Sequence, residues 1–72
     1  MPLVMMKEKD KVGIIKIVGN ESYKKRLGEL GFVAGAMAVI ISNNDGDIIL
    51  ELKGSRLAIT KEMSQKIIVK KI

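Results

Sequence analysis

The chain contains no cysteine and no histidine, and it has one proline, one tyrosine and one phenylalanine among its 72 residues. It can therefore form neither a disulfide nor a zinc site built on cysteine and histidine. Nucleophilic or acid–base chemistry that needs those two residue types is excluded, and no serine lies in the sequence context of a nucleophile elbow. No glycine run leads into the lysine and serine or threonine of a phosphate-binding loop. We predict a protein that is not an enzyme and that uses no cofactor.

Long hydrophobic runs are also missing. The longest, residues 32–41, is interrupted by Gly35 and falls far short of the ~20 residues that a membrane helix needs. The N-terminal residues MPLVMM are too few for the apolar core of a signal peptide, and Lys7 follows them at once. The absence of cysteine suits a reducing compartment. We therefore predict a soluble, cytoplasmic protein without membrane insertion.

The charge of the chain is basic, with 13 lysines and arginines against eight acidic residues and a net charge of +5. Such an excess is compatible with binding to nucleic acid or to an anionic membrane. The charges are scattered, however, and two aromatic residues offer little for base stacking. We favour a solvated lysine surface and keep nucleic-acid binding as an alternative. The mean hydropathy of +0.19 indicates that some apolar surface is left for a partner.

One helix is predicted near the start of the chain. Residues 12–18 are rich in β-branched side chains and predict the first strand. Asn20 then suits a helix N-cap and Gly31 a C-cap, so we expect a helix from about Glu21 to Leu30. Its apolar positions at i, i+4 and i+7 are Tyr23, Leu27 and Leu30. We favour packing of this stripe on the core, with a docking stripe as the alternative.

The remainder of the chain predicts four more strands, at residues 36–41, 48–53, 56–60 and 67–72. Turns are expected at 42–47 and 54–55, where asparagine, aspartate, glycine and serine concentrate. Thr60 can cap one helical turn at 61–63. Five short strands, with one helix between the first and the second, predict a mainly β protein. We expect a small, highly curved β-barrel that forms one domain over residues 1–72.

The second strand raises a question about its outer face. If Ala38 and Ile40 point into the core, then Met37, Val39 and Ile41 point out of it. Three outward apolar residues need a cover, which is either the helix or another copy or partner. We favour the helix, and pairing into a homo-oligomer stays open.

The run from Lys25 to Gly35, KRLGELGFVAG, resembles the signature of the FeoA family, ferrous iron transport protein A. That signature is roughly R-R-L-x-E-L-G-[FL]-x-P-G-T. The matching residues are Arg26, Leu27, Glu29, Leu30, Gly31, Phe32 and Gly35. Lys25 stands where the family has arginine, while Ala34 and Ala36 replace its proline and threonine. The apolar pattern of residues 38–69 also follows the family, so the resemblance spans nearly the whole chain.

The resemblance implies an SH3-like β-barrel that works in the cytoplasm of a prokaryote. Members of the family are accessory proteins of FeoB, a membrane ferrous-iron transporter with a cytoplasmic GTP-binding domain. A similar fold forms the C-terminal domain of iron-dependent repressors, so a peptide-binding regulatory domain remains an alternative. We expect the helix and the following turn to bind the cytoplasmic part of the transporter. The candidate partner-binding residues are Tyr23, Lys25, Arg26, Leu27 and Phe32.

Two points of chemistry stay open at this stage. Arg26 offers a planar guanidinium that suits a carboxylate or carbonyl groups of a partner. The alternative is a solvated charge or an ion pair with Glu29, three residues on. No metal ligands are assigned, because the closest carboxylates, Asp45 and Asp47, are interpreted as a polar hairpin tip. Replacing Arg26 or Leu27 is expected to weaken partner binding while the barrel stays folded.

Overall fold

The computed structural model describes all residues from 1 to 72. Its elements are a 3-10 turn (Leu3–Met5), β1 (Lys11–Ile17), α1 (Glu21–Glu29), β2 (Met37–Asn44), β3 (Asp47–Leu52), β4 (Ser55–Ile59), α2 (Lys61–Ser64) and β5 (Ile67–Lys71). The five strands form one antiparallel sheet in the order β4-β3-β2-β1-β5. The predicted mainly β fold of five strands, with its helix between β1 and β2, is confirmed.

The core is built by the alternation of side chains along the strands. In β3, Ile48, Leu50 and Leu52 are buried and the residues between them are exposed. In β5, Ile67 and Val69 are buried. Successive side chains of a strand point to opposite faces, so each strand presents one apolar row to the interior. Burial of a side chain of this size contributes about 1.5–3 kcal/mol, and these rows hold the sheet in its curved form.

The N-terminal segment completes the core, which the sequence pattern did not predict. Leu3 and Met6 are buried within the same apolar cluster as the strands. The side-chain amide of Asn43 donates to the carbonyl oxygens of Val4 (3.0 Å) and Met6 (2.6 Å) and so holds this segment against β2. The first residues of the chain therefore pack against the sheet and form part of the core.

The link between this segment and β1 contains a charged turn at Asp10. Its Oδ2 accepts a hydrogen bond from the backbone N–H of Lys7 at 2.8 Å, and its Oδ1 lies 3.3 Å from the ammonium group of Lys71. The backbone hydrogen bond is the main cause, and Lys71 a further one, of a pKa of Asp10 below its usual value. The ionised form of this carboxyl group therefore stabilises the fold.

The two edges of the sheet differ. At β5 the chain's own first residues pair with the strand, through hydrogen bonds in both directions between Met1 and Val69 and a bridge between Pro2 and Ile68. At the other edge, β4 pairs only with β3. The sheet thus has one covered edge and one open edge.

The hairpin turns are tighter than predicted. β2 continues to Asn44, so the expected turn at 42–47 shrinks to Asp45 and Gly46, whose φ angles are 54° and 99°. Two residues with positive φ are typical of a type I′ turn, which matches the twist of the strands it joins. Asn43 belongs to the strand because its side-chain oxygen accepts from the N–H of Gly46 at 2.8 Å. The second turn is at Lys53 and Gly54, one residue before the predicted position.

The prediction that the helix covers the outer face of β2 is wrong. Met37 and Val39 are 66% and 38% exposed, and Ile41 is half-buried. The one buried side chain of α1, Leu27, belongs to the core cluster. Because Leu27 directs the helix towards the inward side of the sheet, α1 cannot also shield the outward side.

Candidate partner-binding surface around α1

The beginning of α1 is fixed by its cap. Asn20 has an extended backbone, and its side-chain oxygen accepts a hydrogen bond from the N–H of Tyr23 at 3.0 Å. Glu21 lies in the first turn, where the helix dipole favours a carboxylate. The predicted start of the helix is confirmed.

The end of α1 is a Schellman motif. Gly31 adopts a φ of 108°, its N–H donates to the carbonyl of Gly28 at 3.0 Å, and the N–H of Phe32 donates to the carbonyl of Leu27 at 3.0 Å. The second of these hydrogen bonds spans more residues, and the motif brings together the side chains of the two residues that it joins, Leu27 and Phe32. Leu27 and Phe32 are accordingly both buried in the core cluster. A Cβ at Gly31 would also lie 3.2 Å from Cδ2 of Leu52.

This geometry corrects two of the predicted contact residues. Leu27 and Phe32 are completely or almost completely buried, so their side chains anchor α1 and present nothing to a partner. Leu30, expected in the core stripe, is 47% exposed, and Val33 is 46% exposed. The reason is that Leu30 is the C-cap residue, where the chain is already turning away from the core. The glycine at position 31 was the signal in the sequence. A glycine just after a helix predicts a Schellman motif, in which the side chains of Leu27 and Phe32 pack together.

Tyr23 connects the two helices. Its hydroxyl donates to a carboxylate oxygen of Glu62 in α2, and the ammonium group of Lys66 lies 5.2 Å from the centre of its ring. The hydrogen bond to Glu62 is the main cause of a raised pKa of the Tyr23 phenol, since it favours the neutral O–H. Tyr23 is half-buried, and its polar end already has a partner within the chain.

Arg26 has no such partner. The ion pairs in the structure are Lys24–Glu21 at 3.8 Å and Lys71–Asp10 at 3.3 Å, so the alternative pair of Arg26 with Glu29 does not form. Arg26 is exposed and lines a polar cavity of about 240 Å³ together with Asn20, Ser22 and Tyr23.

The predicted residues on α1 do not all lie on one side. At 100° per residue, Tyr23, Arg26 and Leu30 fall within about 60° of one another around the helix axis. Lys25 lies about 100° from Arg26 and on the side opposite to Tyr23. We give the name α1 surface to Tyr23, Arg26, Leu30 and Val33, of which Tyr23 is half-buried and the other three are exposed. Gly28 faces open space, because a Cβ placed there would meet no atom within 4 Å.

The match to known proteins covers the whole fold. Residues 1–71 match the family model of the FeoA domain. The chain belongs to the FeoA family. It is 34% identical over 68 residues to "Putative Fe(2+) transport protein A" of Methanocaldococcus jannaschii, which covers 94% of this chain and 83% of that protein.

Solved structures of FeoA proteins share this architecture. The crystal structure of an iron uptake regulatory protein (FeoA) superposes with a TM-score of 0.93 at 29% identity, covering 100% of this chain and 97% of that one. The FeoA of Stenotrophomonas maltophilia, described as a prokaryotic SH3 domain protein complexed with zinc, gives a TM-score of 0.82 at 20% identity and covers 97% and 89%. The predicted SH3-like fold is confirmed.

The acidic residues of this FeoA chain do not converge on one point. The structure contains no group of three or more His, Cys, Asp or Glu side chains placed to hold a metal ion. Of the two carboxylates at the β2–β3 hairpin, Asp47 accepts a hydrogen bond from the N–H of Lys61 at 2.9 Å and so supports the start of α2. Neither helix has the length and apolar character to cross a membrane.

Proposed function

We propose that this FeoA chain is a non-enzymatic accessory protein of ferrous iron uptake in a prokaryotic cytoplasm. It binds a cytoplasmic part of a FeoB-type transporter through the α1 surface. The proposal rests on the observation that some residues of the family signature are buried in the fold and others are exposed. Leu27, Gly31 and Phe32 are used by the fold, whereas Arg26 and Leu30 are exposed and have no partner in the chain.

The chemistry of the α1 surface suits a protein partner. The guanidinium of Arg26 offers five donors in a plane, which suits a carboxylate or a set of backbone carbonyls. Leu30, four residues further along the helix, adds apolar area beside it, and Val33 in the following turn is also exposed. Interfaces depend on a few such residues, among which arginine and aromatic side chains are enriched. The partner site is therefore expected to combine an acidic group with an apolar pocket.

The test is an NMR titration of the isotope-labelled full chain with the isolated cytoplasmic domain of the cognate transporter at physiological salt. Shifts are expected on Tyr23, Arg26 and residues 30–35. Arg26→Ala and Leu30→Ser should each weaken binding by about fivefold or more, since truncation of a central contact costs upwards of ~1 kcal/mol. Both side chains are exposed, so the fold should survive.

Lys25→Ala is the matched control for Arg26→Ala. It removes the same charge from the same helix but from the other side, and it should change the affinity much less. If Lys25→Ala weakens binding as much as Arg26→Ala, the partner senses net charge and the α1 surface is not its site. A titration without any shift would reject the proposal for this domain of the transporter.

A further inference from the structure

The outer side of the sheet has an uncovered apolar centre. Met37 and Val39 lie on the same side of β2, since they are separated by the buried Ala38. Met37 is the more exposed of the two, at 66% against 38% for Val39. Neither of the two cavities of the molecule is lined by either residue, so the area around them is a flat face and not a groove.

Basic side chains lie around this centre on three strands. Across from Val39, Lys11 lies on β1 and Glu51 on β3, and Glu51 in turn faces Arg56 on β4. We name the outer sheet face the set Met37, Val39, Lys11, Arg56 and Lys70. All its members are exposed, and Glu51 is the acidic residue among them.

The row that contains Met37 extends across β1 to a lysine on β5. Met37 is opposite Gly13 on β1, and Gly13 is opposite Lys70 on β5. Because Gly13 has no side chain, Lys70 lies across it, with Cε 3.7 Å from the place of a Cβ. Ile72 also lies over Gly13, with Cδ1 3.6 Å from the same place, and it is exposed. Met37 thus has a lysine and a second exposed apolar side chain across the neighbouring strand.

This combination suits a lipid surface better than a folded partner. A protein partner binds tightly through anchors in shaped pockets, and this face offers none. A membrane surface needs no shape complementarity, and lysine and arginine can lay their apolar stems on it while their charges reach the phosphates. Anionic headgroups attract basic side chains, and one apolar side chain between them adds burial.

We propose that the outer sheet face binds reversibly to a membrane surface rich in anionic lipid. Met37 then reaches between the headgroups, and Lys11, Arg56 and Lys70 contact their phosphates. The chain adsorbs at the interface and does not cross the bilayer. This contact does not use the α1 surface and is independent of binding to the transporter.

The test is co-sedimentation of the full chain with vesicles that contain phosphatidylglycerol, compared with vesicles of phosphatidylcholine alone. We expect binding to the first kind, weakening as salt is added. The variant Lys11→Gln/Lys70→Gln should lower the partition coefficient by roughly 30-fold, because each lysine near an anionic surface contributes about fivefold. Met37→Ser should lower it severalfold. These side chains are exposed, and circular dichroism checks that the fold is retained.

The variant Lys24→Gln/Lys25→Gln is the matched control, since it removes two charges from α1 and leaves the outer sheet face intact. It should bind the anionic vesicles much as the unmodified chain does. An equal loss in this control would mean that binding follows net charge, which overturns the inference. No binding to anionic vesicles at low salt overturns it too. If the outer-face variants bind vesicles normally but lose affinity for the transporter domain, the face contacts protein and the lipid assignment is wrong.

Discussion

Replacement of Leu27 by alanine tests how α1 is held on the sheet. Leu27 is completely buried, and its carbonyl accepts the hydrogen bond that the N–H of Phe32 donates in the Schellman motif. Truncation of a buried leucine to alanine costs about 2.7–5 kcal/mol, depending on how far the surroundings collapse into the space. A chain of this length has a total stability of about 4–11 kcal/mol. Leu27→Ala should therefore remove about a quarter or more of the free energy of unfolding.

Urea unfolding followed by circular dichroism measures this loss. For a small domain the dependence of the unfolding free energy on urea is about 1 kcal/mol per molar. The midpoint for Leu27→Ala should then fall by about 3 M. Leu30→Ala removes the same atoms from the exposed C-cap position, and its midpoint should fall by less than about 1 M, since exposed substitutions usually change stability little.

Equal losses in the two variants would refute this reasoning. They would mean that Leu27 is not the buried leucine and Leu30 not the exposed one. The residues of the family signature would then not separate into a set that stabilises the fold and a set that is free to bind a partner. If the difference is found, weaker transporter binding by Leu27→Ala reports a damaged fold. Arg26 and Leu30 are then the positions at which binding can be tested without unfolding the chain.

Four further predictions each concern one residue. Gly28→Ala should stabilise the chain by about 0.5–1 kcal/mol, because glycine is poor inside a helix and the added methyl meets open space. Gly31 has a positive φ, so Gly31→Ala should destabilise the chain by about 1–3 kcal/mol. If the two variants shift the melting temperature in the same direction, the positions of these glycines inside and after α1 are wrongly assigned. The lowered pKa of Asp10 means that its contribution is present above the unfolded pKa near ~4 and is lost as the pH falls through the folded value. The urea midpoints of Asp10→Asn and the unmodified chain should therefore differ at neutral pH and converge in acid, and a gap that widens in acid would be the opposite result. The raised pKa of Tyr23 means that the hydrogen bond to Glu62 contributes below the unfolded pKa of ~10 and is lost as the pH rises through the folded value. The unmodified chain should accordingly be more stable than Tyr23→Phe at neutral pH and lose this difference in alkali. A difference in stability that stays constant with pH would contradict this.

Much of the fold could be predicted because it follows from local rules. Alternation in β3 decides which side chains are buried, since a strand has a period of two. Asn20 and Gly31 mark the ends of α1 because their side chain and backbone conformation supply the missing hydrogen bonds of a helix end. These signals lie within a few residues of the features they determine.

The features that the sequence did not reveal depend on contacts distant in the chain. Asn43 looked like a turn residue, yet it lies in β2 because its amide donates to the N-terminal segment. The exposure of Met37 depends on where α1 sits over the sheet, which is decided by the burial of Leu27. Leu27 was predicted as a contact residue although its side chain anchors α1, because a helical stripe alone does not distinguish Leu27 from Leu30.

The unequal edges of the sheet limit how copies of this protein can join. An open strand edge is a template on which another chain can add, and a short strand with a charged residue is a natural defence. β4 is five residues long and exposes Arg56 near its middle. At β5, Met1 and Pro2 already occupy the edge. Growth of the sheet from copy to copy therefore stops after one step. Two copies can meet at β4, but no third can add, so the fold has a built-in block against fibre formation.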